Sequence, residues 1–178
     1  LLGMNGSGKT TLLKLIAGKL FAHGGEIYVD GRNLRERDVE TLQKVFMLPA
    51  DFIFPNMSLE QFLAIYSEFY PEFRKEVLND CLVNFEIQRD IKNLNQLSLG
   101  EKHKVAFSIA LSLGTKIVLL DEAANGMDIP ARKMFRKLLM KHVREDQIVV
   151  LSTHIVQDIE NLLTDVIVLR KDAPVYAA

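Results

Sequence analysis

The sequence predicts an α/β domain, with a mostly parallel sheet flanked by helices and a helical subdomain inserted at about residues 56–100. Three observations carry this prediction. Short continuous apolar runs recur at residues 45–48, 117–120, 148–151 and 166–169, the form of strands buried on both faces. Apolar stripes of helical period lie between them, so strand and helix alternate. Residues 56–97 break the rhythm, because they hold helical stripes and no strand-like run.

In chain order, residues 9–19 read as a helix with Leu12, Leu13, Leu15 and Ile16 on one side and Gly18 near its end. Residues 26–31 read as a short strand running into a turn at Gly31. The strand at 45–48 closes at Pro49. Ser58 with Gln61 forms a capping box ahead of Phe62, Leu63, Ile65, Tyr66 and Phe69. After Pro71 a second stripe runs through Phe73, Val77, Leu78, Cys81, Leu82 and Phe85. Helices follow at 101–113, stopped by Gly114, at 131–144, with Met134, Phe135, Leu138, Leu139 and His142 on one stripe, and at 155–163.

Composition sets the bounds. The 178 residues suffice for one domain with a sizeable core, and 48% apolar with 25% charged residues excludes a disordered or low-complexity chain. Twenty-two basic against 23 acidic residues leave a net charge of −1, so no strong positive field points to a nucleic-acid partner. One cysteine, Cys81, has no internal disulfide partner, and no run of about 18 apolar residues spans a bilayer. A reducing, cytoplasmic setting fits. Leu1-Leu2-Gly3 leads straight into a glycine-rich loop without a signal peptide, so the expectation is a fragment truncated at both ends, whose first strand begins upstream.

Gly3-Met4-Asn5-Gly6-Ser7-Gly8-Lys9-Thr10 satisfies G-x-x-x-x-G-K-[ST] at every constrained position. Glycines let successive backbone N–H groups turn inward around a polyphosphate, and the helix opening at Lys9 adds its positive dipole end. Lys9 is placed to reach the β and γ phosphates and Thr10 to ligate Mg²⁺, with Thr11 beside them. A P-loop NTPase also needs an acid at a strand end. The run at 117–120 supplies Asp121 to hold the metal and Glu122 to polarise the attacking water as general base. His154 follows the run at 148–151 and stands where an open α/β sheet binds ligands, within reach of a γ-phosphate.

Taken in order, these residues resemble the ATP-binding subunit of an ABC transporter. The likeness runs from the P-loop through a helical insert, Leu97-Ser98-Leu99-Gly100-Glu101, Asp121-Glu122, Asn125-Gly126-Met127-Asp128 and Ser152-Thr153-His154. It implies ATP and Mg²⁺ as cofactors, and a second ATP-binding subunit, in a homo- or heterodimer, whose bound γ-phosphate meets Ser98 and Gly100. By the same resemblance Asp128 lies in the loop that crosses the dimer. A separate transmembrane permease is the further partner, with the protein peripheral on the inner face of the cell membrane.

Several positions depart from the family pattern. Ala50, followed by Asp51, stands where a metal-assisting Gln is usual; Leu99 replaces the first signature glycine and Glu101 the usual Gln. The Leu-Ser-Leu-Gly form resembles that of exporter subunits. The family's adenine-stacking aromatic lies upstream of the P-loop. Phe52, Phe54 and Met57 either face a partner's coupling helix or pack in the core. The alternatives are a non-transport ATPase with the same head, a kinase, and a non-hydrolysing nucleotide-binding module.

Overall fold

The computed structural model describes residues 1–153 and 163–170 and the backbone of 173–177. Helix α1 spans Lys9–Ile16, shorter than the stretch to residue 19, because Gly18 takes a left-handed backbone at φ 65° and ends it. Strands β1 (Tyr28–Val29) and β2 (Arg32–Asn33) form a tight antiparallel hairpin. Asp30 and Gly31 connect them at φ 51° and 74°, the positive pair that a two-residue turn matching strand twist demands. The strand expected at 26–31 is thus the two residues of β1 running into that turn, and β2, just beyond Gly31, is the partner the sequence did not show.

Helix α2 (Val39–Gln43), capped by the Asp38 carboxylate, leads into β3 (Val45–Leu48). Helices α3 (Leu59–Tyr66) and α4 (Lys75–Asn84) fill the expected helical stretch. The Ser58–Gln61 capping box forms as read, with Gln61 N–H donating to Ser58 Oγ at 3.1 Å and Ser58 N–H to Gln61 Oε1 at 3.0 Å. Helix α5 (Leu99–Ser112), strand β4 (Ile117–Asp121), helix α6 (Ile129–His142) and strand β5 (Ile148–Ser152) follow. Helix α6 begins two residues before the expected start because Asp128 caps it and Pro130 is accommodated in its first turn. The helix read at 155–163 lies almost wholly outside the described residues.

Strands β3, β4 and β5 pair in parallel, Val45 opposite Ile117 and Ile117 opposite Ile148. Leu1 N donates to Leu151 O at 2.7 Å, and Leu2 bridges in parallel to Val168, so the chain's first residues lie between β5 and β6 (Ile167–Arg170). Strand β6 pairs on its other side with β7 (Ala173–Ala177) as an antiparallel hairpin, so the sheet ends antiparallel at that edge. The run at 166–169 alone did not reveal that second pairing.

Alternation along β4 divides the core. Val118 and Leu120 join the cluster formed with α3, α4, α5 and α6, whereas Leu119 joins Leu13, Val45 and Met47 on the opposite face. Phe107 of α5 and Phe135 of α6 are fully buried in the first cluster, ring centroids 4.2 Å apart. Among the described residues no helix is long and apolar enough to cross a membrane.

Candidate functional site

Strand β4 delivers Asp121 to the carboxyl edge of the sheet, beside the loop that opens α1. Thr10 Oγ1 donates to Asp121 Oδ2 at 2.7 Å, across 111 positions of sequence. Both are hard oxygen donors, the chemistry Mg²⁺ selects. Among the described residues no group of three or more His, Cys, Asp or Glu converges to cage a metal. Such a cation here would complete its shell with phosphate and water oxygens, its usual habit.

The loop from Gly3 to Gly8 is built for close approach. A Cβ on Gly3 would stand 2.4 Å from Ser7 Oγ and 2.6 Å from Leu169 O, so only glycine fits. Gly8 holds φ 99° at the helix cap. Lys9 is buried and its ammonium donates to Gly3 O at 2.8 Å and Met4 O at 3.1 Å, folded over the loop. Ser7 Oγ is buried without a hydrogen-bond partner among the described residues. An orphaned, buried hydroxyl in this loop fits an anion with oxygens to spare. Met4, Asn5, Gly6, Thr10 and Thr11 are exposed at the loop's mouth.

Glu122 follows with a left-handed backbone, φ 48°, uncommon outside glycine and held here by its surroundings. Its N–H donates to Ser152 O at 3.0 Å, and its Oε2 accepts from Asn125 Nδ2 at 2.5 Å. Ser152, buried at the end of β5, donates its hydroxyl to Asp121 Oδ1, and its Oγ also lies 3.3 Å from the Glu122 N–H. One serine thus touches both acids. Neither Ser152 nor Asn125 stands out in the sequence, since a lone hydroxyl or amide gains meaning only from strand register. The signal available was their place in the segments 152–154 and 125–128.

Ser98 caps α5, and Gly100 sits in its first turn, one residue inside the helix, where a Cβ would lie 3.3 Å from Gly126 O. The 125–128 loop thus packs against the start of α5. Asp128 is exposed and caps α6, accepting from Ala131 N–H at 2.8 Å. His154 lies outside the described residues. The 49–57 loop divides by side chain: Phe54 is buried, and Phe52 packs edge-on against Phe54 and the buried His103 ring. Met57 packs on the same core, so these three take the core alternative. Ile53, 85% exposed, points the other way, and Ala50 and Asp51 are exposed.

The family model described as ABC transporter matches residues 1–125. The chain belongs to the ABC transporter family. It is similar to the ABC transporter ATP-binding protein NatA of Bacillus subtilis, 30% identical over 183 residues, which cover 99% of this chain and 74% of NatA. It is also similar to YtrB, another ABC transporter ATP-binding protein of that organism, 29% identical over 163 residues. There the match covers 91% of this chain but 56% of YtrB, so the chain spans about half of that relative's length. A solved structure of the ATP-binding subunit of an ABC transporter has the same fold, with a TM-score of 0.84 at 24% identity over 96% of this chain and 73% of that one. Family membership makes ATP the nucleotide expected at the loop.

Proposed function

We propose that the protein is the ATP-hydrolysing subunit of an ABC transporter, which dimerises on ATP and drives a separate membrane permease in the export direction. The observation that carries the hydrolytic part is the Thr10–Asp121 hydrogen bond, with Glu122 the next residue along. In this reading residues 1–178 form one ATPase domain with a helical subdomain at about 56–100, peripheral on the inner membrane face. The Leu-Ser-Leu-Gly form of the α5 start supports export.

The chain's own groups divide the work. The amides of Gly3 to Gly8 cradle the phosphates, and Lys9 leaves the Gly3 and Met4 carbonyls to meet the β and γ oxygens. Thr10 and Asp121 would hold Mg²⁺, which would neutralise charge on the transferring phosphoryl group. Glu122, oriented by Asn125, takes a proton from the attacking water. His154 is assigned to the γ-phosphate by its place in the sequence and the family resemblance alone. Ser98, Gly100 and Asp128 of a second copy close the site from the far side, as the family resemblance implies.

The test is the solution mass of Glu122→Gln in the full-length protein, with and without ATP and Mg²⁺. Doubling with ATP, abolished by Ser98→Arg, is the expected outcome. A protein that binds ATP and stays monomeric removes the homodimer reading. Hydrolysis by Glu122→Gln at the parent's rate removes Glu122 as the base. Lys9→Ala should weaken ATP binding at least about tenfold, read by equilibrium dialysis.

A further inference from the structure

The start of α5 differs from the start of α3 in one bond. Ser58 and Gln61 exchange two hydrogen bonds, and both use oxygen only as acceptor from backbone N–H. Ser98 and Glu101 exchange three. Ser98 N–H donates to Glu101 Oε2 at 2.9 Å, Glu101 N–H donates to Ser98 Oγ at 3.3 Å, and the Ser98 hydroxyl itself donates to Glu101 Oε2 at 2.6 Å.

A serine hydroxyl carries one proton. Here that proton is committed to Glu101, and an Oγ without it has only lone pairs to offer a phosphate oxygen. The two donations from Ser98, hydroxyl first and backbone second, hold the Glu101 carboxyl below the usual carboxylate range, so at neutral pH it is an anion. A carboxylate three residues into the helix also opposes any incoming negative charge. Ser98 is exposed and Leu99 beside it is 64% exposed, so this helix start is open to another molecule.

We infer that Glu101 is a positioning residue that holds the Ser98 hydroxyl proton away from nucleotide, so that α5 engages a triphosphate only when Ser98 exchanges the Glu101 carboxylate for a phosphate oxygen. This rests on the proposal that Ser98 meets ATP held by a second copy. Glutamine at the same position keeps both backbone bonds, as Gln61 does at Ser58, and leaves the hydroxyl proton available. The carboxylate thereby sets a threshold of ATP for closure without touching the P-loop that binds it first.

The experiment uses the full-length protein carrying Glu122→Gln and reads the ATP concentration for half-maximal dimerisation by light scattering. Adding Glu101→Gln should lower that concentration about tenfold, the worth of one charge-assisted hydrogen bond. ATP affinity of the dilute monomer should be unchanged, as should melting temperature within a few degrees, because the cap is retained. Ser98→Ala should erase the gain. Equal half-maximal ATP with and without Glu101→Gln, or a gain that survives Ser98→Ala, overturns the role of Glu101 and leaves the dimer standing. If neither variant dimerises although both bind ATP, the dimer reading fails and this inference with it.

Discussion

A buried hydroxyl at the end of β5 is the smallest unit on which the site depends. Ser152 donates to Asp121, and its oxygen and carbonyl both face the Glu122 N–H. Ser152→Ala leaves Asp121, itself 1% exposed, short of a donor, which should cost about 1–3 kcal/mol in stability. Hydrolysis should fall more steeply than ATP binding, because the change loosens the acids and leaves the phosphate loop alone. Parallel measurement of kcat, of Kd for ATP and of thermal unfolding checks both halves, and an unchanged kcat would show that the acids need no such support. At this scale the sequence was readable where spacing itself encodes chemistry, as from Gly3 to Thr10 and at Asp121-Glu122. It marked Ser152 and Asn125 only by their segments, because their own roles arise from the pairing of Asp121 with Ser152 across β4 and β5 and from the turn after β4.

The helices meet at a junction made of backbone carbonyls. Arg74, just ahead of α4, donates to Leu111 O at 2.9 Å and His142 O at 3.1 Å, near the carboxyl ends of α5 and α6, where a cation is favoured by both dipoles. Gly114 turns the chain after α5 at φ 72°, and a Cβ there would stand 2.1 Å from Glu72 O. Gly114→Ala should therefore destabilise by about 1–3 kcal/mol from its left-handed backbone alone, and by more from the clash, measurable by urea unfolding. Asp80 of α4 binds Lys141 and His142 of α6, at 2.9 and 2.7 Å. Those bonds, Lys141 first, hold its carboxyl below the usual range. A depressed acid stabilises above its unfolded pKa and loses that contribution as pH falls through its folded one. Unfolding scans of Asp80→Asn and parent should differ near neutral pH and converge in the acid region. Element types were legible from apolar period. The returning strand of the hairpin at 32–33 and the β6–β7 edge were not, because a two-residue strand carries no period and an edge pairing depends on more than one segment's own pattern.

Across the molecule, the insert and the sheet share one apolar interior: Leu48, Val118 and Leu120 pack in the same cluster as Leu59, Phe62 and Leu78. Cys81 lies inside it, fully buried, and burial pushes its thiol up to about 12. Thiol reagents at neutral pH should label it only through opening of this interior. Labelling rates that rise with denaturant in step with global unfolding are expected; fast labelling in native buffer would show that α4 opens on its own. Phe107→Ala, at the centre of the cluster, should cost about 3–5 kcal/mol. Helix α5 joins this interior to Ser98. Its 14 residues at 1.5 Å each make a rod about 21 Å long, packed in the interior over most of 103–112 and exposed only at its start, beside the 125–128 loop. A tilt of about 5° around the far end of the rod carries Ser98 about 2 Å, more than separates a hydrogen bond from none. The aim of that hydroxyl is thus set by the fit of side chains a rod's length away, and substitutions there that spare the fold should still detune the site.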